Sequence, residues 1–403
     1  MRNVCIVGAG PAGVTLAYLL ATRGIDVTLL ERRRGLDREF RGEILLPSGV
    51  SALHSMGLGD LLSQIPVQIP EHFALYLNKR PVFQLPMDAA WFANRPPLAF
   101  SQAALLEAVL TRITALACFR FVPGARVQAL QHDAEGRVTG VVYADDEGAH
   151  ELQCDLVVGC DGRQSFVRRV LDLPAARQNP PMDIVWCKVP SMPAFEGVRA
   201  YAGRGHLLVV YKTWDGNLQL GWVIMKGQFK ALRGAGISVW VREMQSHVSP
   251  DLAQHLAAHA DRLQKPFLLV SESDRVQPWS VPGALLLGDA AHTMSPVGGQ
   301  GINIALRDVI VAANHLVPAL RDGVSPARLD ALCRQVEAAR SPEVAWVQRM
   351  QAQPPKLMLN HAWWAEPIRA LAGKMLSNAR IRTRLGPRLQ PMLQGVTPVS
   401  IEI

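Results

Sequence analysis

The stretch VCIVGAGPAGVTLAYLL, residues 4–20, restricts the fold of this chain more than any other feature. The short apolar run at 4–7 predicts a buried strand, and the glycine-rich turn GAGPAG follows it at residues 8–13. The apolar pattern from there to about Arg23 predicts a helix, and residues 26–31 predict a second strand. Strand, glycine turn, helix and strand in this order predict a Rossmann-like parallel α/β sheet.

The residues of this unit suit a dinucleotide. Gly8 permits the tight turn, Gly10 lets the backbone approach a pyrophosphate, and Gly13 lets helix and strand pack closely. The free amides of the helix N-terminus, around Ala12, attract the phosphate. Glu31 ends the second strand, where a carboxylate accepts hydrogen bonds from a ribose and repels a 2′-phosphate. The unit therefore predicts FAD or NAD rather than NADP at this site.

Two later motifs repeat the pattern of a strand followed by a polar turn and a helix. The first is CDLVVGCDGRQSFVR, residues 154–168. Here a ligand contact has an alternative, in which Asp161 or Ser165 is simply the N-cap of the following helix. The second is LLLGDAAHTMSPVGGQGINIAL, residues 285–306, where Asp289 ends a strand and glycines open a helix to about Leu316. Ligands of open α/β sheets bind at the carboxyl ends of the strands.

In this order and spacing, the three motifs resemble those of class A flavoprotein monooxygenases, the para-hydroxybenzoate hydroxylase and ubiquinone-hydroxylase type. The resemblance covers roughly residues 1–340. It implies an FAD-binding domain, a substrate domain on a mostly antiparallel sheet, and a C-terminal helical region. We expect the FAD-binding domain at 1–65, 99–182 and 280–340 and the substrate domain at 66–98 and 183–279. The C-terminal helical region is expected at 341–403.

The resemblance also implies which residues hold FAD. Asp289 is expected at the ribityl chain, and the amides near Gly301 and Asn303 at flavin N1 and O2, where reduced flavin is anionic. Gln102 stands where many members have an arginine, which weakens one charge contact. Arg32 belongs to a basic loop that either attracts nicotinamide phosphates or is simply solvated. The residues assigned to the cofactors are Gly8, Gly10, Ala12, Gly13, Glu31, Arg32, Arg41, Ile44, Gln102, Asp161, Gly162, Arg168, Asp289, Gly299, Gly301, Ile302 and Asn303.

The activity implied is that of an FAD-dependent hydroxylase. NADH or NADPH docks transiently as reductant, O2 is co-substrate, and one oxygen atom passes from a flavin C4a-hydroperoxide to an aromatic or conjugated small molecule. Secondary metabolism or aromatic catabolism is the expected setting. Two alternatives stay open: an FAD-dependent reductase or dehydrogenase of a conjugated substrate, and a non-catalytic FAD-binding protein.

Candidate catalytic and substrate residues follow from the same resemblance. His292 is a candidate base near Asp289, although the interpretation we prefer is that it holds its loop by hydrogen bonds. Pro296 is expected to place a carbonyl near the substrate. Residues 205–213 and 217–224 predict an antiparallel hairpin that covers the flavin. Tyr201, Tyr211 and Trp222 are candidates to line the substrate pocket, with ordinary core packing as the alternative.

Composition limits the remaining possibilities. The chain has 403 residues and a net charge of +8, with its basic residues scattered, so we expect no nucleic-acid partner. Its six cysteines show no ligand spacing, which predicts reduced thiols, no metal and a cytoplasmic protein. There is no uninterrupted run of about 18 apolar residues. Trp363 and Trp364 among C-terminal basic residues leave a weak peripheral membrane contact open, and we expect a monomer or homodimer.

Overall fold

A computed structural model defines the architecture of the chain. It describes residues 2–36, 44–87, 92, 95–178, 180–203, 205–264, 266–360 and 362–403. Arg41, one of the residues expected to contact FAD, lies outside the described residues.

The described residues form strands and helices in a mixed order. The strands are β1 (Asn3–Val7), β2 (Asp26–Glu31), β3 (Ile44–Leu45), β4 (Val67–Gln68), β5 (His72–Leu77), β6 (Arg80–Pro86), β7 (Leu98–Phe100), β8 (Phe119–Pro123), β9 (Arg126–His132), β10 (Val138–Asp145), β11 (Gly148–Gln153), β12 (Leu156–Gly159), β13 (Ala175–Gln178), β14 (Met182–Pro190), β15 (Val198–Gly203), β16 (His206–Lys212), β17 (Asn217–Met225), β18 (Phe267–Leu269), β19 (Ser273–Val276), β20 (Ser280–Val281), β21 (Ala284–Leu286) and β22 (His292–Thr293). The helices are α1 (Pro11–Ala21), α2 (Pro47–Ser55), α3 (Gln102–Ile113), α4 (Phe166–Val170), α5 (Gln228–Ala235), α6 (Ile237–Gln245), α7 (Pro250–Ala258), α8 (Gly301–Arg321), α9 (Pro326–Gln351), α10 (Gln353–Met358), α11 (Ala365–Ser377) and α12 (Ala379–Gln394).

The six-stranded sheet carries all three sequence motifs. Its order is β20-β21-β12-β1-β2-β8, and every pair from β21 to β8 is parallel. The strands at its centre are almost entirely buried, because α1 packs on β1 and β2 while β9 and β10 pack on β2 and β12, which explains their continuous apolar sequences. Since β21, β12 and β1 are neighbours and point the same way, the turns that follow them meet at one edge.

A seven-stranded, mostly antiparallel sheet forms the second part of the structure, in the order β18-β14-β17-β16-β15-β5-β6. It joins two strands of the segment 66–98 to five of the segment 183–279, the two segments assigned from sequence to a substrate domain. That division into domains stays a prediction. The predicted hairpin is observed as β16 and β17, with Leu207 opposite Val223. The predicted α/β fold with an antiparallel second sheet is therefore confirmed.

The C-terminal region touches both sheets. Helix α11 packs on β6 and β5, and the tail after α12 returns to the six-stranded sheet's core, where Val399, Ile401 and Ile403 pack. Helix α9 runs continuously from Pro326 to Gln351, so it crosses the predicted boundary at 340. Among the described helices, none combines the length and the apolar character that a bilayer crossing requires.

Candidate active site

The turn after β1 packs directly against the turn after β12. Gly8 has φ +103°, a left-handed conformation that favours glycine, and a Cβ there would lie 2.6 Å from the carbonyl oxygen of Cys160. On the other side of the turn, Ala12 lies close to the third motif. A Cβ added to Gly288 would be 3.4 Å from the Cβ of Ala12. The first, second and third motifs are thus in mutual contact around the N-terminus of α1.

Glu31 holds the first turn in shape. Its Oε2 accepts a hydrogen bond of 2.8 Å from the amide of Ala9, and its Oε1 accepts one of 3.0 Å from the amide of Arg33. The side chain is 6% exposed. Glu31 therefore fixes the phosphate-binding turn, and its contact with the ribose stays a prediction.

The second motif supports its neighbours through local hydrogen bonds. Asp161 accepts from the hydroxyl of Ser165 and from the amides of Phe166 at 2.6 Å and Val167 at 3.1 Å, so it caps α4 together with Ser165. Burial raises the pKa of Asp161, and these hydrogen bonds oppose that rise. The helix-cap alternative is what the structure shows for this aspartate, while a contact with FAD stays a prediction.

Arg168 joins the second motif to the third. One guanidinium nitrogen donates to the carbonyl of Ala290 at 3.3 Å, and the other donates to the carbonyl of Arg163 at 2.8 Å. Arg163 in turn contacts Asp289, with 3.2 Å between Nε and Oδ2. Sequence reasoning selected Arg168 but missed Arg163. Arg163 pairs with Asp289, which lies 126 positions away, so the local sequence carries no sign of this contact.

Asp289 lies beside the N-terminus of α8. A Cβ on Gly301, the first residue of the helix, would be 3.9 Å from Asp289 Oδ1. The preceding Gly298 and Gly299 both have left-handed φ values, +73° and +62°, so the turn into the helix depends on glycine. Exposed amides at the start of this 21-residue helix favour an anionic group in front of them. Ile302 in the first turn is half-buried.

Asn303 clamps the start of α8 to the segment around β3. Its Oδ1 accepts a bond of 2.9 Å from the amide of Leu46, and its Nδ2 donates to Gly299 at 2.7 Å and to Ile44 at 3.3 Å. The side chain is completely buried. Sequence reasoning assigned an amide near Asn303 to the flavin, whereas its side chain bonds to protein backbone on both sides. Ile44 is thereby fixed next to the glycine turn.

His292 lies inside the core. Its Nε2 is 2.6 Å from Oδ2 of Asp308, its ring centroid is 5.0 Å from that of Trp279, and it is 1% exposed. Burial raises the pKa of Asp308, but His292 and Arg340 outweigh that effect and leave the pKa lowered, so the carboxylate is ionised. These contacts are those of a residue that holds its loop. A catalytic role for His292 stays a prediction.

The network around His292 continues across two helices. Arg340 Nε donates to Asp308 at 2.8 Å, and Arg340 also pairs with Glu343, which binds Arg307 at 2.8 Å. All four of these side chains are at most 4% exposed. Glu343 also accepts from the amide of Val396, 2.7 Å away, so the network ties the C-terminal tail to α8 and α9.

Two glutamines of α9 hold the loop that contains Pro296. Gln351 Nε2 donates to the carbonyls of Ser295 at 2.7 Å and Val297 at 2.6 Å, and Gln348 Nε2 donates to Thr293 at 3.2 Å. The carbonyl of Pro296 itself accepts from the amide of Gly299 at 3.1 Å. A carbonyl has two lone pairs, so one site remains for a further donor. Sequence reasoning missed both glutamines because a helical glutamine gives no sign of its tertiary partner.

The three aromatic candidates lie on opposite faces of the seven-stranded sheet. Tyr201 and Trp222 face α6 and α7: the Tyr201 hydroxyl is 2.8 Å from Ser249 Oγ, and the Trp222 ring lies 5.9 Å from that of Trp240. Tyr211 faces the other way, in a cluster that includes Ile44 and Val297. Tyr201 and Trp222 therefore pack as the core-packing alternative expects, on the other face from Tyr211, because side chains alternate between the faces of a strand. A place for either residue in the substrate pocket stays a prediction.

Trp186 and Gln219 lie on the same face of the sheet as Tyr211, and both were missed from the sequence. Trp186 packs in the same cluster, and Gly221 lies opposite it, since a Cβ there would be 2.6 Å from the indole ring. Gln219 is next to Tyr211 in the sheet register and 1% exposed. Its Oε1 has no hydrogen-bond partner among the described residues. An acceptor buried in this way is available to a ligand that donates a hydrogen bond.

The remaining predicted cofactor residues lie in turns and at the starts of helices. Gln102 is the first residue of α3 and half-buried, with Ser101 capping the helix. Arg32 is exposed, as the solvated-loop interpretation expects, and Gly162 has left-handed φ of +83° in the turn before α4. Gly10 is the N-cap of α1. None of these positions by itself decides a contact with the cofactor.

Known proteins share both sequence and fold with this chain. The family model of the FAD binding domain matches residues 1–342. The 6-methylpretetramide 4-monooxygenase of Streptomyces rimosus is 33% identical over 93% of this chain and 88% of that protein. Among solved structures, PqsL of P. aeruginosa in complex with 2-aminobenzoylacetate has a TM-score of 0.79 and 23% identity, covering 91% of this chain and 99% of that chain. The p-nitrophenol 4-monooxygenase PnpA of Pseudomonas putida DLL-E4 has a TM-score of 0.83 and 16% identity, covering 99% and 100%.

The geometry fits an extended FAD. The turn after β1, with Glu31, and the glycine turn before α8, with Asp289, each lead into a helix N-terminus that favours an anion. That a dinucleotide spans both turns, which lie almost three hundred residues apart in the chain, stays a prediction. The chain therefore belongs to the FAD binding domain family and is an FAD-dependent monooxygenase of the class A type, with the para-hydroxybenzoate hydroxylase fold.

Proposed function

We propose that this monooxygenase hydroxylates an aromatic or conjugated small molecule held between the seven-stranded sheet and the glycine turn before α8. One observation carries the proposal: Trp186 and Tyr211 form a single apolar cluster with Ile44 and Val297, which flank that turn. An aromatic wall facing the flavin cradle suits a flat substrate. The buried Gln219 supplies a polar group that can accept a hydrogen bond from a substrate hydroxyl or amine.

When bound, FAD takes electrons from NADH or NADPH and uses them to activate O2, whose second oxygen atom leaves as water. The chain's own residues hold and shape the site. Asp289 is proposed to accept a hydrogen bond from the ribityl chain, and the α8 amides to stabilise negative charge on the flavin ring. Asn303 and Gln351 keep the two loops in place, which fixes the distance between cofactor and substrate.

The names of the similar proteins support this substrate class. One acts at position 4 of 6-methylpretetramide and another at position 4 of p-nitrophenol. The test is a panel of phenols, anilines and polycyclic phenols, with saturated alcohols of the same size, scored by substrate-stimulated NADH and NADPH oxidation. We expect stimulation by aromatic members only, and a weaker affinity for them in Gln219→Leu. Stimulation by the saturated members, or by none, contradicts the substrate class.

We further propose that α11 and α12 contact an anionic lipid surface weakly. Five of the ten large apolar residues that are strongly exposed in the described structure lie in one short segment: Trp363, Trp364, Ile368, Leu371 and Met375. Three of them, Ile368, Leu371 and Met375, recur at helical spacing along α11, and Trp364 is the N-cap of that helix. Beside them Arg380, Arg384 and Arg388 are exposed at intervals of four along α12. An apolar face with a basic flank is typical of helices that lie in a membrane interface.

Vesicle flotation tests this contact. The protein is expected to float with vesicles of phosphatidylglycerol and phosphatidylcholine but not with pure phosphatidylcholine, and Leu371→Ser with Trp363→Ser is expected to abolish flotation. Light scattering of the wild type and of the same variant tests whether a second copy of the chain covers this face instead. A wild-type dimer that the substitutions dissociate, in a protein that does not float, would make the face a contact between two copies.

Because all six cysteines are free thiols, we also propose a cytoplasmic location, which cell fractionation tests.

A further inference from the structure

Two histidines and a glutamate meet where β16 of the seven-stranded sheet begins. His206 is the first residue of β16, Glu243 lies in the last turn of α6, and His247 follows the end of that helix, four residues after Glu243. Nε2 of His247 is 3.4 Å from Glu243 Oε1, Nε2 of His206 is 3.9 Å from the same oxygen, and the two imidazole rings are stacked with centroids 3.4 Å apart. We call these three residues the His-Glu-His cluster.

The backbone fixes both sides of the cluster. His206 pairs with Gly203 of β15, and from Leu207 onward β16 is paired with β15 and β17, so the sheet positions the start of β16. Helix α6 is anchored through Trp240, Val241 and Met244, all buried against the outer face of that sheet. The three donor groups therefore face one another before any ligand arrives, and little ordering is required when one binds.

The donor set has the composition of a transition-metal site. Each residue offers one ligand atom, and these atoms all lie within 4.8 Å of one another. Donors that share a tetrahedral zinc ion at about 2.0–2.1 Å stand roughly 3.4 Å apart, so side-chain rotation alone closes the site. His247 follows the last turn of α6, where the helix dipole favours a cation. All three side chains are partly exposed, so a cation can reach the cluster from solvent.

We propose that the His-Glu-His cluster binds one zinc-type divalent cation, which fastens the β15–β16 hairpin to α6. It lies on the face of the sheet that α6 covers, opposite Tyr211, so the cation acts on the stability of the substrate sheet and takes no part in hydroxylation. His206 and Glu243 are 37 positions apart in the chain, so no short ligand spacing joins them in the sequence.

The experiment uses the FAD-loaded full chain. After incubation with zinc sulfate and buffer exchange, elemental analysis is expected to find one zinc per chain, and zinc is expected to raise the melting temperature. His206→Gln, His247→Gln and Glu243→Gln are each expected to weaken zinc binding about tenfold or more in titration calorimetry. Flavin content and circular dichroism establish that each variant is folded, so a lost zinc signal reports the site itself.

Two further variants separate this site from other histidines. His255 in α7 and His259, the C-cap of that helix, also lie four residues apart, with rings 4.3 Å apart. In the part of the chain that the structure describes, no carboxylate completes that pair, so His259→Gln is expected to bind zinc normally. His72, which lies between Glu71 and Glu196, marks the other donor group found in the described residues. Absence of retained zinc in the wild type, or zinc lost in His72→Gln and kept in His206→Gln, overturns the proposal.

Discussion

Nε2 of His292 lies 2.6 Å from Oδ2 of Asp308, and both side chains are buried at the base of the glycine turn before α8. The aspartate's other oxygen binds Arg340, so one carboxylate joins the third motif to α9. The interaction reaches further, through Glu343 and Arg307, to the C-terminal tail. The turn expected to face the flavin therefore rests on buried charges that lie outside the three motifs.

Removal of the Asp308 carboxylate is expected to be strongly destabilising. Asp308→Asn leaves the buried Arg340 short of a counter-charge, for which we expect a loss of about 3–5 kcal/mol in the free energy of unfolding. Urea unfolding followed by tryptophan fluorescence measures it. Asp146→Asn, which removes an exposed partner of Arg34, is the control and should cost little. Equal losses in the two variants would show that the buried network adds no stability.

The same network predicts how stability varies with pH. Burial raises the pKa of Glu343, but Arg340 and Arg307 outweigh it, so the pKa values of both Glu343 and Asp308 are lowered in the folded state. A carboxylate whose pKa is lowered in the folded state adds stability that is fully present when the pH is above its ordinary pKa of about 4. This stability disappears as the pH falls through the lowered pKa of the folded state. The difference between wild type and Asp308→Asn should be constant from about pH 7 to 4.5 and shrink below about pH 4. A difference that grows on acidification would reverse the sign of this account.

Glu31→Gln tests the ADP end of the cofactor site. It removes a charge that holds the amide of Ala9 and is proposed to bind the ribose, so FAD affinity should fall about tenfold. Fluorescence titration of the apoprotein with FAD measures the affinity. Asp26→Asn, at the other end of the same strand, is the matched control and should keep it. An unchanged affinity in Glu31→Gln would remove this residue from the cofactor site.

Gln351→Leu tests the loop around Pro296. Loss of the bonds to Ser295 and Val297 should loosen the loop while FAD stays bound, so more of the NAD(P)H consumed should appear as hydrogen peroxide and less as hydroxylated product. Peroxide and product are assayed in the same reaction. Gln348→Leu, which releases Thr293 and Asp274 instead, should have a weaker effect because its bonds lie farther from Pro296. Unchanged coupling in Gln351→Leu would mean that the loop is held by other contacts.

Tyr211→Leu and Trp222→Leu compare the two faces of the substrate sheet. Tyr211 lies in the cluster with Ile44 and Val297, so its replacement should raise KM for the aromatic substrate. Trp222 packs on Trp240 on the far face, so its replacement should lower the free energy of unfolding by about 3–5 kcal/mol and leave KM nearly unchanged. The reverse assignment of the two effects would put the pocket on the α6 side.

The sequence predicted this site unevenly, for physical reasons. Strand β2 and the glycine turns were located correctly because strand, turn and helix signals are local and the motif order is specific. The alternation along β16 and β17 predicts that Tyr211 and Trp222 lie in a sheet, but period-two alternation does not tell which face meets the flavin. The partners of His292 and of the loop at Pro296 come from α8 and α9, and a helical aspartate or glutamine carries no local sign of such a contact.

The most direct test of the central claim is a turnover under 18O2 with the FAD-loaded protein, NADH or NADPH, and an aromatic substrate from the panel. Mass spectrometry of the product is expected to show one atom of 18O per molecule, with none entering from labelled water. A product without 18O, or substrate reduced in the absence of oxygen, would contradict monooxygenation and favour a flavin-dependent reductase.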